Sequence, residues 1–394
     1  MRIEPLLTQP LSPRLGYGYG DPAVLHVPGP AGSGAGTYYL LVTSNDAPDA
    51  FPILRSPDLR HWEEAGCVFP EGHKPAWALD GPGRSDFWAA ELHRVEGEYL
   101  VVFTARRQCG GELAIGVARS SSPCGPFVPD EQPLVAGGVI DPHVLLTPQG
   151  EAYLFWKHDS NDEWPLLLAQ LLHDQPRLVA DLFPDPDRRR AASLCASLWS
   201  RLGTLPPMDR FLALQPLIEA VTSDFASLRQ RLQALARTEP GAVARTSCRL
   251  LEAMCTPIYA QRLCSGCRSL AGPRHVVLTN DREWEGHLVE GVWVSRHGDK
   301  YYLFYAGNDF TTAQYGIGVA VADSPLGPYV KQDTPLLTST AQWWGPGHPS
   351  LAEDPEGCPQ LLFHAFHPGC TGYKRFRALL MAPVEFEPAG VALR

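Results

Sequence analysis

Long apolar runs are missing from this sequence. No stretch of the 394 residues approaches the ~20 consecutive apolar residues of a membrane span, and the N-terminal MRIEPLLTQPLSPRLGYG has Arg2 but no apolar run long enough for a secretory signal. The expectation is a cytoplasmic chain with no membrane partner. Positive charge is also short. A net charge of −10 provides no basic face for a nucleic-acid backbone, so no nucleic-acid partner is expected. Methionine is scarce, at 4, whereas 38 Pro, 36 Gly, 10 Trp and 13 Tyr point to many short strands joined by turns. Without an export signal, the 10 cysteines read as free thiols or metal ligands rather than disulfides.

A strand-rich unit recurs along the chain. Asp21 to Trp62 reads DPAVLHV, TYYLLVTS and FPILRSPDLRHW. The unit returns from Phe87 as FWAAELHRVEGEYLVVFTA with LAIGVARSSSPCGPF, and from Ile140 as IDPHVLLTPQGEAYLFWKHD with PLLLAQLL as its outer strand. It recurs from Glu290 as EGVWVSRHGDKYYLFYAGND with YGIGVAVADSPLGPYV, and from Gly347 as GHPSLAEDPEGCPQLLFHAF with FRALLMAPVEF. In the fourth copy, HGDK supplies the Gly-Asp chemistry of a tight hairpin turn. Five copies of a short antiparallel sheet that cannot bury both faces alone predict a mainly β chain folded as a five-bladed β-propeller. A β-sandwich fits internal repetition poorly.

Between residues 183 and 272 the strand signal stops. ASLCASLWSRL, DRFLALQPLIEAVTSDFASLRQRLQALAR and SCRLLEAMCTPIYAQRLC show apolar residues at three and four spacing, which predicts an α-helical insertion. Asp209 and Ser223 or Asp224 are candidate N-caps. The segment has about a dozen Arg and no Lys, basic against an acidic remainder. The expected organisation is blades one to three in 1–182, the insertion between blades three and four in 183–272, and blades four and five in 273–394. The apolar stripes of the insertion offer a surface for self-association. Cys264 and Cys267 form C-x-x-C near His275, and Cys248 or Cys255 could complete a zinc set; without a second C-x-x-C, buried helix-packing thiols are the better reading.

In a propeller, residues that open the inner strand of each blade converge on the axis. Asp21 in GYGDPAV, Asp141 in VIDPHVL and Glu290 in LVEGVWV take that slot in blades one, three and four. Asp before Pro is a common turn starter, and a lone Glu is usually solvated; three acids in equivalent slots are harder to explain that way. Trp284 and Trp293 lie near Glu290 in sequence and would exclude water from it, raising its pKa. His348 opens the fifth inner strand. Trp88, Trp343 and Trp344 are candidates for stacking on a sugar ring or for packing between blades.

Taken together, GDP at 20–22, SPDLRHW at 56–62, WAAEL at 88–92, IDP at 140–142, WEGHLVEG at 284–291, SPLGPY at 324–329 and GPGHPS at 345–350 resemble glycoside hydrolase family 43. These are five-bladed propellers that release arabinose or xylose from plant polysaccharides. The resemblance covers nearly the whole chain except the helical segment. It implies an inverting hydrolase, exo-acting on arabinofuranosides or xylosides, with Asp21 as general base, Asp141 as the residue that tunes and orients the acid, and Glu290 as general acid. Trp88, Trp344 and His348 become substrate-binding candidates. A carbohydrate is the expected partner and no cofactor is required, although the family places a metal, often calcium, near the residue matching His348. Ala90 stands where the family usually has Pro, and Val292 where it continues Glu-Gly-Pro, which bears on substrate fit more than on the acids. The alternative is a catalytically inactive sugar-binding propeller whose insertion serves as an interaction module.

Overall fold

The structure, a computed structural model, describes residues 2–29, 36–160 and 163–394. The chain divides into two compact units: Met1–His158 with Pro257–Leu278 and Val289–Arg394, and Asp159–Thr256 with Thr279–Leu288. The first unit holds five antiparallel sheets, one for each sequence repeat. Their inner strands are Ala23–Val27, Trp88–Val95, Val139–Leu146, Val289–His297 and Trp344–Glu353. The HGDK turn closes as read: His297 pairs with Lys300 across Gly298 and Asp299.

Each inner strand lies beside the next in chain order, and the fifth lies beside the first. Apolar side chains fill the spaces between neighbouring sheets. Phe51 and Phe69 of the first pack on Phe103 of the second, and Leu40 and Leu54 of the first pack with Leu362 and Met381 of the fifth. At about 1.5–3 kcal/mol for each fully buried side chain of this size, these seams are the main source of stability in the unit. The N-terminal strand Glu4–Leu7 pairs with Ala378–Glu387, so the last sheet uses both ends of the chain.

One backbone feature recurs on all five inner strands. Asp21, Ala89, Asp141, Gly291 and His348 have φ of 54°, 46°, 57°, 60° and 49°, at or just before the inner strand. In the second to fifth sheets the pairing register shifts at this point. A non-glycine residue held at positive φ costs on the order of 1–3 kcal/mol and persists where its surroundings over-determine it. The bulge re-aims the side chains on either side of it.

The second unit contains seven helices among the described residues: α1 (Trp164–Asp174), α2 (Leu178–Leu182), α3 (Pro186–Ser197), α4 (Trp199–Leu202), α5 (Pro207–Thr222), α6 (Phe225–Thr238) and α7 (Ala242–Ala253). Leu168, Leu172, Leu217, Val221, Leu232 and Leu250 form its core. Asp185 caps α3, accepting from the Asp187 and Arg188 N–H groups at 3.1 and 3.0 Å. Asp209 lies in the first turn of α5 rather than capping it, and Asp224 occupies the N-cap position of α6 without a side-chain hydrogen bond to the helix N–H groups. Asn280 holds the returning segment: its amide donates to the Met254 and Gly286 carbonyls and accepts from the Thr256 N–H. Among the described residues, no helix is long and apolar enough to cross a membrane.

The limits of the helical segment differ from those expected. Helices run from Trp164 to Ala253, not from 183 to 272, and they interrupt the third sheet between its second strand, Ala152–His158, and its third, Ile258–Leu263. They therefore lie within the third repeat and not between the third and fourth. PLLLAQLL, read as an outer strand, is most of α1; a short continuous apolar run fits either structure, and Pro165 in the first turn favours a helix start. IYAQRL, read as helical, is the strand Ile258–Leu263, and Leu270–Leu278 completes the sheet. Cys264 is exposed, and Cys267 is buried in a single 3-10 turn, Ser265–Cys267, that joins these two strands, rather than on one of the α-helices. None of the ten cysteines is joined in a disulfide among the described residues.

Candidate active site

The bulges of adjacent sheets are tied together by side chains on the sheet before. The Ala89 N–H donates to Thr43 Oγ1 at 2.9 Å, the Asp141 N–H to Thr104 Oγ1 at 3.1 Å, and the Asp21 N–H to His364 Nδ1 at 3.1 Å. Two of the expected acids thus have their backbones fixed by a neighbouring sheet.

Asp21 sits in a cationic setting. Arg377 donates to its Oδ1 at 2.9 Å, Thr43 Oγ1 donates to its Oδ2, and His348 Nδ1 lies 3.4 Å from Oδ1. Burial alone would raise its pKa, but Arg377, then His348, His364 and Thr43, outweigh burial and hold the carboxyl well below its ordinary range. Gly20 of the GDP motif makes room for this: a Cβ there would stand 1.8 Å from the Arg377 guanidinium.

Glu290 has different company. Its Oε2 is 3.1 Å from Lys157 Nζ, and its Oε1 accepts from the Tyr315 hydroxyl at 2.9 Å. Burial pushes its pKa up to about 7, with Asp141 adding to the rise and Lys157 and Tyr315 opposing it. Asp141 accepts from the Gly291 N–H at 2.8 Å, so it holds the backbone beside Glu290 as well as supplying charge. Gly291 is needed at this bulge for its positive φ, and a Cβ would stand 3.1 Å from the His348 Cα. The ring of Tyr315 stacks on His364 with centroids 6.0 Å apart, and His364 reaches Asp21. Gly347 leaves space for Tyr315, since a Cβ there would stand 1.8 Å from its ring.

Asp21, Asp141 and Glu290 all bear electrostatically on Tyr315, but they do not share one backbone slot. Asp21 and Asp141 occupy the left-handed position, which Gly291 takes in the fourth sheet; Glu290 is one residue earlier. Trp293 packs on His143 at 4.7 Å, and Trp284 belongs to the helical unit. Trp88 and Trp344 open the second and fifth inner strands and are partly exposed. Trp343 is buried against His367 and belongs to the core. His348 is buried beside Asp21. Calcium takes about six to eight oxygen ligands, whereas the contact shown for His348 is to an Asp21 carboxylate already engaged by Arg377 and Thr43. That donor set does not fit calcium.

Lys157, Tyr315, Arg377, Thr43 and His364 were not singled out from the sequence. Lys157 had a visible signal: it is a cation inside the otherwise apolar AYLFWKH strand, and it is fully buried. A buried lysine requires a partner.

Comparison with known proteins fits this geometry. The profile of Glycosyl hydrolases family 43 matches residues 15–182 and 251–392. The chain belongs to glycosyl hydrolase family 43. The family 43 match contains Asp21, Asp141 and Glu290 and skips 183–250, most of the helical unit. A xylosidase/arabinosidase of Bacteroides ovatus is 22% identical over 77% of this chain and 71% of its own length. Xylosidase/arabinosidase 43A of Humicola insolens is 39% identical over 18% of this chain, a match spanning only 21% of that protein. Among solved structures, a thermostable family-43 glycoside hydrolase superposes with a TM-score of 0.64 at 23% identity, covering 96% of this chain and 93% of that one. An endo-arabinase of Bacteroides thetaiotaomicron gives 0.59 at 17% identity, covering 98% of each. At these identities the likeness of structure is one of fold.

Proposed function

We propose that this family 43 protein is an inverting glycoside hydrolase that releases terminal arabinofuranosyl or xylosyl units. Asp21 is the general base, Glu290 the general acid, and Asp141 the residue that positions and tunes Glu290. The observation that carries this reading is the split between two carboxyls, one held ionised by Arg377 and one buried and pushed up to about 7. Paired acids driven apart in this way are suited to base and acid roles at the same pH. Inversion needs about 6.5–9.5 Å between the two carboxyls for an intervening water. Asp21 and Glu290 keep separate hydrogen-bond partners, with the Tyr315 and His364 rings standing between those partners, an arrangement that suits such a gap. The substrate class rests on the names of the xylosidase/arabinosidase relatives. The five sheets close as a five-bladed propeller, a reading supported by the contact of the fifth inner strand with the first and by the N-terminal strand in the last sheet.

The test is turnover and product size on arabinofuranosides, xylosides and their oligosaccharides. Monosaccharide release supports exo action; release of oligosaccharides from internal bonds would replace it with endo action. Sugar binding without turnover of any glycoside would instead favour the inactive sugar-binding alternative.

The charges around Glu290 make two opposed predictions. The acid must be protonated to act, so the basic limb of the pH profile of kcat/KM follows its pKa. Lys157→Met removes a cation that favours ionisation, so Glu290 holds its proton to higher pH. The limb is expected to move up by roughly one to three units. Asp141→Asn keeps an oxygen for the Gly291 N–H but removes the negative neighbour, so the limb is expected to move down. Shifts in the same direction, or unchanged profiles at unchanged rate, would remove Glu290 from the acid role.

A further inference from the structure

Beyond the acids, three side chains meet at one point with no part in the proposed hydrolysis. Glu91 and His143 stand two residues past the left-handed position on the second and third inner strands, and His93 is two residues further along the second. His143 Nδ1 lies 2.8 Å and His93 Nε2 2.9 Å from the same oxygen, Glu91 Oε2. All three residues are buried, and their ligand atoms lie within 4.8 Å of one another.

The far side of the His143 ring decides what this cluster can hold. Its Nε2 is 3.1 Å from the Val294 carbonyl oxygen, which can only accept, so Nε2 carries the hydrogen. In the neutral ring, Nδ1 then presents a lone pair to a carboxylate oxygen at 2.8 Å. Two lone pairs at that distance repel unless a proton or a metal cation lies between them. A ring fixed by a hydrogen bond from its other nitrogen to a backbone carbonyl is the usual second shell of a metal-binding histidine. Trp293, packed on the ring with centroids 4.7 Å apart, holds it further.

We propose that Glu91, His93 and His143 bind one divalent first-row transition-metal ion of the zinc type. Two imidazoles and one carboxylate suit zinc and its neighbours, unlike the oxygen-rich sites calcium takes. Entry is available from the end of the inner strands away from the acids. There a cavity of about 530 Å³ is lined by His93 and His143 together with His26, Arg94, Leu146 and Arg296. The ion joins the inner strands of the second and third sheets, and through Val294 it bears on the fourth. Its role is to staple these strands.

The experiment uses full-length protein with its thiols alkylated, because free cysteines bind zinc, and dialysed against a chelator. Calorimetric titration with Zn²⁺ is expected to show one ion per chain with micromolar or tighter Kd, and Tm should rise by several degrees. Titration with Co²⁺ should give visible d–d bands without a thiolate charge-transfer band. In His93→Gln and His143→Gln, each checked for native circular dichroism, affinity should fall at least about 100-fold. Failure of the folded wild type to bind either ion would overturn the proposal and leave a shared proton in the cluster. Undiminished binding in a folded variant would place the ion elsewhere. If neither variant folds, the wild-type stoichiometry and Co²⁺ spectrum decide.

Discussion

Glu290→Gln is expected to lower kcat on a glycoside with a poor leaving group by roughly 10²–10⁴-fold, the usual contribution of a positioned proton donor. The amide oxygen can still accept from Lys157 while the amide nitrogen donates to the Tyr315 hydroxyl oxygen, so the pocket keeps its shape while losing the proton that the leaving oxygen needs. The diagnostic is the dependence on leaving group. With a nitrophenyl or dinitrophenyl glycoside, whose oxygen departs without protonation, the loss should shrink by at least an order of magnitude. The basic limb of the pH profile, set in the wild type by a group titrating at about 7, should also disappear. An equal loss on all leaving groups, with the limb intact, would show that Glu290 is not the acid.

Asp21→Asn is expected to abolish measurable turnover on every glycoside, good leaving groups included, because water must still be activated when leaving-group protonation is unnecessary. Sugar affinity should stay within about tenfold. The substitution leaves Arg377 facing an amide, and removing one partner of a buried ion pair can itself cost about 3–5 kcal/mol. Circular dichroism and Tm must accompany the kinetics. Arg377→Met provides the control: it should raise the pKa of Asp21 and move the acidic limb upward, while retaining turnover above that limb. Turnover retained in Asp21→Asn would exclude the residue as base.

The three acids were legible because each lies in a short turn-forming motif, GDP, IDP or VEG, placed before a strand of recognisable alternation. The repeat count was legible for the same reason, and five sheets are present. Partners were harder to read. Lys157 and His364 lie inside strands whose apolar pattern marks them as sheet, Arg377 directly precedes one, and nothing local in AYLFWKH says that its lysine crosses to Glu290, 133 residues away. The one-residue offset of Glu290 from Asp21 and Asp141 escaped notice because a bulge consumes a residue without changing alternation before or after it. The helix limits failed at PLLLAQLL and IYAQRL, segments too short for periodicity to separate helix from strand. There, long-range pairing with Ala152–His158 decides the outcome for Ile258–Leu263. The Glu91, His93 and His143 cluster could not be read from the sequence at all, since it forms only where two inner strands come side by side.

The roles of Asp21 and Glu290 are tested most directly by the anomeric configuration of the first-formed product. Wild-type enzyme is mixed with an arabinofuranoside or xyloside that it turns over, and proton NMR spectra are collected before the released sugar mutarotates. Direct attack by water activated at Asp21, with Glu290 protonating the departing oxygen on the opposite side, gives a first product of inverted configuration. A first product of the same configuration as the substrate would require a covalent glycosyl-enzyme and would contradict the assignment of Asp21 as a base acting on water.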